Sequence, residues 1–399
     1  MTGEHGVVNS LDHSVRTLVA ESLTVPVAKR GGAAERERLV RCLDRGDRPA
    51  PTPASPQAKP FLPAQQSLLA EARKEAEGHP LAKLYLERLD EIELDFLIRD
   101  ARSDAKLLRP LLARRYGTGR ELIGETDGSP RLVDVAEHVL DTVDAEPEHP
   151  LLPPDATFDE PSLASIIRNV ALHAGVELEG VRVEDSLVAN AVASGRWVLI
   201  ANRHVGPREA LRCAVHEVLG HVVATLNANA QPHAIFTIGT AGAFEDQEGV
   251  ALALEELAGV LDAERLRVLA ARVVATARFH DGIRFEDLAE LLHHAYGLSS
   301  NDAIAITERT FRGGGSAREA SYLRGFLRVR GAVAGGVATI DELRNGKLSA
   351  RAIEDVRSAI ADGLARPAPH RPTLDRALSF VDRCAFAPSL SVDEALGLI

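Results

Sequence analysis

Cysteine is nearly missing: the 399 residues include only Cys42, Cys213 and Cys384, an odd number without CxxC spacing. That excludes a disulfide framework and a thiolate zinc module, and makes a reducing, cytoplasmic setting the expectation. Aromatics amount to 4% and methionine to one residue, so Leu, Val, Ile and Ala must fill the core, a palette that suits helices. No run of about 18 apolar residues occurs, and the N-terminal thirty lack an apolar h-region, so neither a membrane span nor a secretion signal is expected. Positive charge is not in excess either. Lys and Arg number 46 against 58 Asp and Glu, and a net charge of −12 argues against a nucleic-acid partner.

What is present suits a soluble globular chain, 45% hydrophobic and 26% charged. Residues 1–63 form an N-terminal segment ending in a linker with six prolines between Arg48 and Pro63. Residues 64–160 read as a helical subdomain: Leu81, Leu84, Tyr85, Leu89, Ile92 and Phe96 recur at three- and four-residue spacing, with breaks predicted near His79-Pro80 and Arg109-Pro110. A further helix spans about 130–143, before the acidic, Pro-rich stretch Asp144–Asp159, which reads as a long loop. Residues 161–399 form the third unit. Alternation at Val176, Leu178, Val181 and Val183, then apolar runs Leu187–Val192 and Trp197–Ala201 around Ser194-Gly195, predicts three short strands, the last two a hairpin. After Gly206-Pro207 the periodicity is helical almost to the end, and no internal repeat is present.

The helix opening at Pro207 contains His216-Glu217-Val218-Leu219-Gly220-His221, an HExxxH pattern. Two imidazoles beside a carboxylate are what a hydrolytic zinc site requires: neutral ligands, and a base for the water that the metal acidifies. The spacing is unusual. Residues five apart on a regular α-helix are rotated by about 140°, against about 40° for the four-residue spacing of HExxH. A π-bulge would bring the pair onto one face, and Gly220 eases the distortion. The plainer alternative is an amphipathic helix with two unrelated histidines.

Glu248 follows His221 by 27 residues at the head of a second apolar helix and could complete a His/His/Glu set with a fourth position open. An acid in a first helical turn is also common for electrostatic reasons alone.

HEVLGH, the Asn227 to Gln231-Pro232 turn, QEGVA, and TERTFRGGGSAREASYLRG at Thr307–Gly325 resemble, in order and spacing, the family known from its QEGLA motif. Its bacterial members are named flavohaemoglobin expression-modulating proteins, and it includes the microtubule-associated tyrosine carboxypeptidases, zinc enzymes with an HExxxH helix. The similarity runs from about Leu199 to Pro367. It implies an α+β, predominantly helical fold: a zincin-like metallopeptidase domain with a small β-sheet before the HExxxH helix. It also implies His216, His221 and Glu248 as zinc ligands and Glu217 as the general base. This chain departs from the family in having glycine at the last position before the second His, QEGVA for QEGLA, and Ser316-Ala317-Arg318-Glu319 where FTKD is usual. The last change falls in the expected substrate wall.

Six arginines, Arg309, Arg312, Arg318, Arg324, Arg328 and Arg330, stand against two acids between Glu308 and Arg330. A carboxypeptidase needs guanidinium forks for the terminal carboxylate of its substrate. Arg312 and Arg318 are the candidates for it, the others being expected on solvated or paired helix faces. Tyr322, four residues after Arg318, would share its face on a helix starting near Ser316, and its phenol is a candidate hydrogen-bond donor to an oxyanion or, equally, the satisfied hydroxyl of a half-buried tyrosine. Gly313–Gly315 reads as a hinge. His293-His294 point too far apart to share a metal, His233 is expected to be structural, and Cys213 a small buried apolar group. The function expected is a zinc-dependent carboxypeptidase removing a C-terminal, aromatic residue from a peptide or protein, with no nucleic-acid or membrane partner. The alternatives are a zinc peptidase or amidase with another substrate, or a noncatalytic regulatory protein retaining the metal site. Oligomeric state is not legible.

Overall fold

The computed structural model describes residues 10–22, 32–52, 58–124, 128–144, 151–155, 161–185, 187–312, 318–382 and 391–397. Parts of the Pro-rich stretch and of the Asp144–Asp159 loop, the Gly313–Gly315 hinge and Cys384 lie outside them. The chain is predominantly helical with one small mixed sheet. Helices α1 (Ser10–Ser22), α2 (Gly32–Asp44), α3 (Pro63–Glu77), α4 (Ala82–Asp100), α5 (Ala105–Tyr116), α6 (Leu132–Thr142) and α7 (Leu163–Ala174) come first. The periodic residues of α4 are buried as their spacing requires: Leu84, Tyr85, Leu89, Ile92 and Phe96 are all at 2% exposure or less. The break at His79-Pro80 falls between α3 and α4.

The second break is displaced. Pro110 sits inside α5, and the chain turns instead at Asp104, whose carboxylate accepts from the N–H groups of Lys106 and Leu107. Lys106, whose carbonyl would otherwise receive the missing N–H, lies with Pro110 on the exposed face, where solvent meets the carbonyl.

Three strands follow, β1 (Gly180–Glu184), β2 (Ala191–Ser194) and β3 (Trp197–Ala201), in the order β1-β3-β2. β2 and β3 form the expected hairpin, Ala193 opposite Val198, around Gly195 at φ 64. β2 lies later than the apolar run that suggested it, because Leu187 to Asn190 leave the sheet in bends. β1 pairs with β3 in parallel and leaves β2 at the other edge, beside the HExxxH helix.

That helix is continuous but not uniform: α8 (Pro207–Ala214), a π segment (Val215–Val222) and α9 (Val223–Asn229). Then come α10 (Ile235–Ile238), α11 (Ala243–Ala258), α12 (Ala263–His280), α13 (Phe285–Glu290), α14 (Ser300–Phe311), α15 (Ser321–Ala334), α16 (Ile340–Leu343), α17 (Ile353–Ala361), α18 (Leu374–Ala377) and α19 (Val392–Ala395). α11 is the axis of this half, packed between the π segment and α15. Glycine sets both distances. A Cβ on Gly220 would lie 2.9 Å from Ala251 Cβ, and one on Gly249 would lie 2.3 Å from the carbonyl oxygen of Gly325, so α11 and α15 cross backbone against backbone. One buried apolar cluster runs from Leu11 to Leu396, taking residues from all three sequence segments. No helix among the described residues is long and apolar enough to cross a membrane.

Candidate active site

The π segment does what the five-residue spacing demands. It turns His216 and His221 toward each other, with Nε2 atoms 3.2 Å apart and ring centroids 4.9 Å apart. Arg344, 3% exposed, donates from Nη1 to the carbonyl of Leu219 at 2.8 Å and so satisfies a backbone acceptor within the widened turn. Asn227 ties the end of the same helix to the carbonyls of Arg344 and His370, and Gln231 holds the backbone of Arg366 on both sides. The QEGVA residues divide the labour on α11: Gln247 donates to the carbonyls of Leu343 and Leu348, and Gly249 and Ala251 permit the two close crossings.

Glu248 completes the cluster. Its Oε2 lies 3.4 Å from His216 Nε2 and 3.9 Å from His221 Nε2. Ligand atoms about 2.0–2.1 Å from a tetrahedral ion stand about 3.3 Å from one another, so the three atoms are spaced as ligands of one small ion. Among the described residues this is the one group of three or more His, Cys, Asp or Glu side chains able to hold a metal. Glu217 is buried beside it. Its Oε2 accepts from the Ala193 N–H of β2 at 2.7 Å, and its Oε1 lies 4.0 Å from His216 Nε2.

A second layer was not visible in the sequence reading. Glu255, fully buried, sits 2.6 Å from His216 Nδ1 through Oε1 and accepts from Arg212 Nη1 at 3.1 Å, with Arg265 Nε 3.5 Å from its other oxygen. Burial opposes the charge on Glu255, but Arg265 and Arg212 outweigh it and hold the carboxyl at about 2. Burial likewise opposes ionisation of Glu248, whose contacts with His216 and His221 bring it to about 2. His216 is depressed by burial and raised further by its hydrogen bonds to Glu248 and Glu255, to about 9. The sequence signal for Glu255 is its position seven residues after Glu248, two turns along the same face of α11.

The residues expected on the substrate side differ more from expectation. α15 begins at Ser321, so Arg318 lies in the preceding turn and the shared-face argument for Arg318 and Tyr322 fails. Phe244 brings them together instead: the Arg318 guanidinium lies 4.8 Å from its ring centroid, and the Tyr322 ring meets it edge-on at 6.4 Å. Arg309 donates to the Tyr322 hydroxyl oxygen at 3.3 Å, while burial and the charge of Glu248 raise the phenol above its ordinary range. Buried Glu319 holds Arg309 at 2.8 Å and lies 3.5 Å from Arg272, which stacks 4.8 Å from the Tyr322 centroid. Arg272, on α12 outside the arginine-rich segment, is brought down to about 10 by burial and by Arg309.

Of the six arginines, Arg309, Arg324, Arg328 and Arg330 are held by acids. The Arg312 and Arg318 side chains make no hydrogen bond or ion pair among the described residues. The other histidines stay apart from the cluster: His233 packs on His79, and His293 pairs its Nδ1 with the Leu298 carbonyl at 2.7 Å. Cys213 is buried, and burial and Glu209 push its thiol far up, so it is held neutral.

Fold and site define a mainly helical protein with a His/His/Glu cluster, a second, buried carboxylate, Glu217, alongside and an arginine-rich wall. Over residues 43–390 the chain matches the family described as microtubule-associated tyrosine carboxypeptidase, and it belongs to that family, at whose level it is a carboxypeptidase-type peptidase. The match extends beyond the stretch from Leu199 to Pro367 at both ends and takes in the helices upstream of the sheet from the end of α2 onward. No curated protein and no solved structure matches the chain significantly.

Proposed function

We propose that this chain is a zinc-dependent carboxypeptidase that removes an aromatic residue from the C-terminus of a peptide or protein. The observation that carries the reading is the spacing of His216 Nε2, His221 Nε2 and Glu248 Oε2, at 3.2, 3.4 and 3.9 Å from one another, next to buried Glu217. These three residues hold the ion, and Glu255 fixes the His216 ring through Nδ1. When bound, zinc acidifies a water and polarises the scissile carbonyl. Glu217 keeps one oxygen on β2 and has the other free to accept the water's proton and return it to the leaving amine. Because Arg309 donates to the Tyr322 oxygen, the phenolic proton is available to the carbonyl oxygen as that atom gains charge. Arg318 and Arg312, unclaimed by acids among the described residues, bind the terminal carboxylate.

Glu217→Gln should retain about one zinc per chain and lose hydrolysis. Peptides with an amidated C-terminus should resist cleavage. Cleavage of the amidated peptide would make the protein a peptidase of another specificity, and zinc without any hydrolysis would favour a noncatalytic regulatory role.

A further inference from the structure

We propose that the arginine-walled cavity between the C-terminus of α5 and the N-termini of α11 and α15 is a second ligand site. It takes a compact polyanion, phosphate- or carboxylate-bearing, and works separately from the His216/His221/Glu248 cluster. The cavity encloses about 370 Å³, the size of a small-molecule site. Arg114, Arg115, Arg324, Arg328 and Arg351 line it, with Glu91, Glu121 and Glu245 as the acids.

Those acids are committed. Glu91 holds Arg115 at 2.8 Å and accepts from the Gly242 N–H at 2.9 Å. Glu245 accepts from Arg324 Nε at 2.7 Å and lies 2.8 Å from Arg328. Glu121 accepts from the N–H groups of Thr118 and Gly119 at 2.5 and 3.0 Å. Behind the wall, Asp95 and Asp246 take a second bond from Arg115 and Arg328. Arg114 and Arg351 are left over: both are exposed, and neither guanidinium makes a hydrogen bond or ion pair among the described residues.

The backbone adds to this. Gly242 caps the 16-residue α11 and Ser321 opens the 14-residue α15, so two helix N-termini, each with partial positive charge, face the cavity wall. Ser321 is at 0% exposure and its Oγ has no hydrogen-bond partner, a costly state for a buried hydroxyl that an anion's oxygen in the cavity would relieve. Gly242, at φ +77, leaves room for a guanidinium: a Cβ there would lie 2.7 Å from Arg351 Nη2. Phe244 lines the cavity and also meets Tyr322 edge-on, so its ring stands between this cavity and the candidate catalytic tyrosine.

Calorimetric titration of the full chain with inorganic pyrophosphate, and separately with citrate, tests the assignment. One anion per chain is expected, with affinity that falls as salt rises. Arg351→Gln and Arg114→Gln should each weaken it about tenfold, the loss of one charge-assisted hydrogen bond, and the matching Lys variants should restore part of it. Ser321→Ala should weaken it less. Binding must survive His221→Ala, because both anions also chelate metal ions. Response to pyrophosphate alone or to citrate alone supports the site and identifies the source of the charge. Saturable binding by neither, affinity unchanged in both arginine variants, or binding lost in His221→Ala overturns it.

Discussion

Gly249→Ala is the sharpest single test of how the site is built. Helix propensity alone favours alanine over glycine by about 1 kcal/mol at an interior position such as this. Sterics act in the opposite direction. The new Cβ would lie 2.3 Å from the Gly325 oxygen, 2.5 Å from its carbonyl carbon and 2.9 Å from Val329 Cγ2. Ordinary carbon–oxygen contacts begin at about 3.3 Å, so α11 and α15 would have to separate by about 1 Å, and no rotamer change relieves a backbone contact. Overpacking costs about 1–3 kcal/mol, at the upper end where backbone obstructs, and a net loss of about 2 kcal/mol is expected after the propensity gain. Glu248 precedes the substituted residue, so the displaced helix also carries one cluster carboxylate away from His216 and His221. Gly331→Ala is the matched control: it lies in α15 with nothing within 4 Å of a new Cβ and should stabilise by about 0.5–1 kcal/mol. Chemical denaturation of both variants measures the contrast. A Gly249→Ala protein as stable as its parent would refute the backbone-to-backbone crossing.

Glu255→Gln keeps the shape of the group on His216 Nδ1 but removes its charge, and zinc affinity measured by chelator competition should fall about 10- to 100-fold; unchanged affinity would deny Glu255 its supporting role. Arg344→Met strips the Leu219 carbonyl of its side-chain donor and should cost about 1–3 kcal/mol in unfolding experiments. Acid stability gives another check. Hydrogen bonds from Arg357 hold Glu342 at about 2 against an ordinary 4.5, so its contribution is complete above the ordinary value and lost as pH falls toward 2. Glu342→Gln should therefore lower stability at pH 6 and converge with the parent near pH 2.

Much of this architecture was legible because chemistry and periodicity agreed. A five-residue His spacing has no common face on a regular helix, which pointed to a π segment, and that segment spans Val215–Val222. Glu248 was legible only through the QEGVA resemblance: the sequence sets it at the head of a helix, where acids are unremarkable, whereas α11 begins five residues earlier at Ala243 and carries Glu248 in its second turn. Glu255, Arg212 and Arg265 escaped because an ion-pair layer joins helices distant in sequence, and the seven-residue offset of Glu255 from Glu248 does not by itself separate a buried acid from a solvated one. Arg318 and Tyr322 were correctly placed near each other for the wrong reason: Phe244, some 75 residues away, supplies the common surface in place of a shared helix face. Pro110 misled in the other direction, because an exposed helix face tolerates one unpaired carbonyl.

Release of the terminal residue from a peptide ending in free tyrosine, followed as zinc is stripped from the protein and then restored, bears most directly on the proposed activity. Release should stop when zinc is removed and return as about one zinc per chain is added back. Tyrosine release that continues undiminished in zinc-free protein would contradict it.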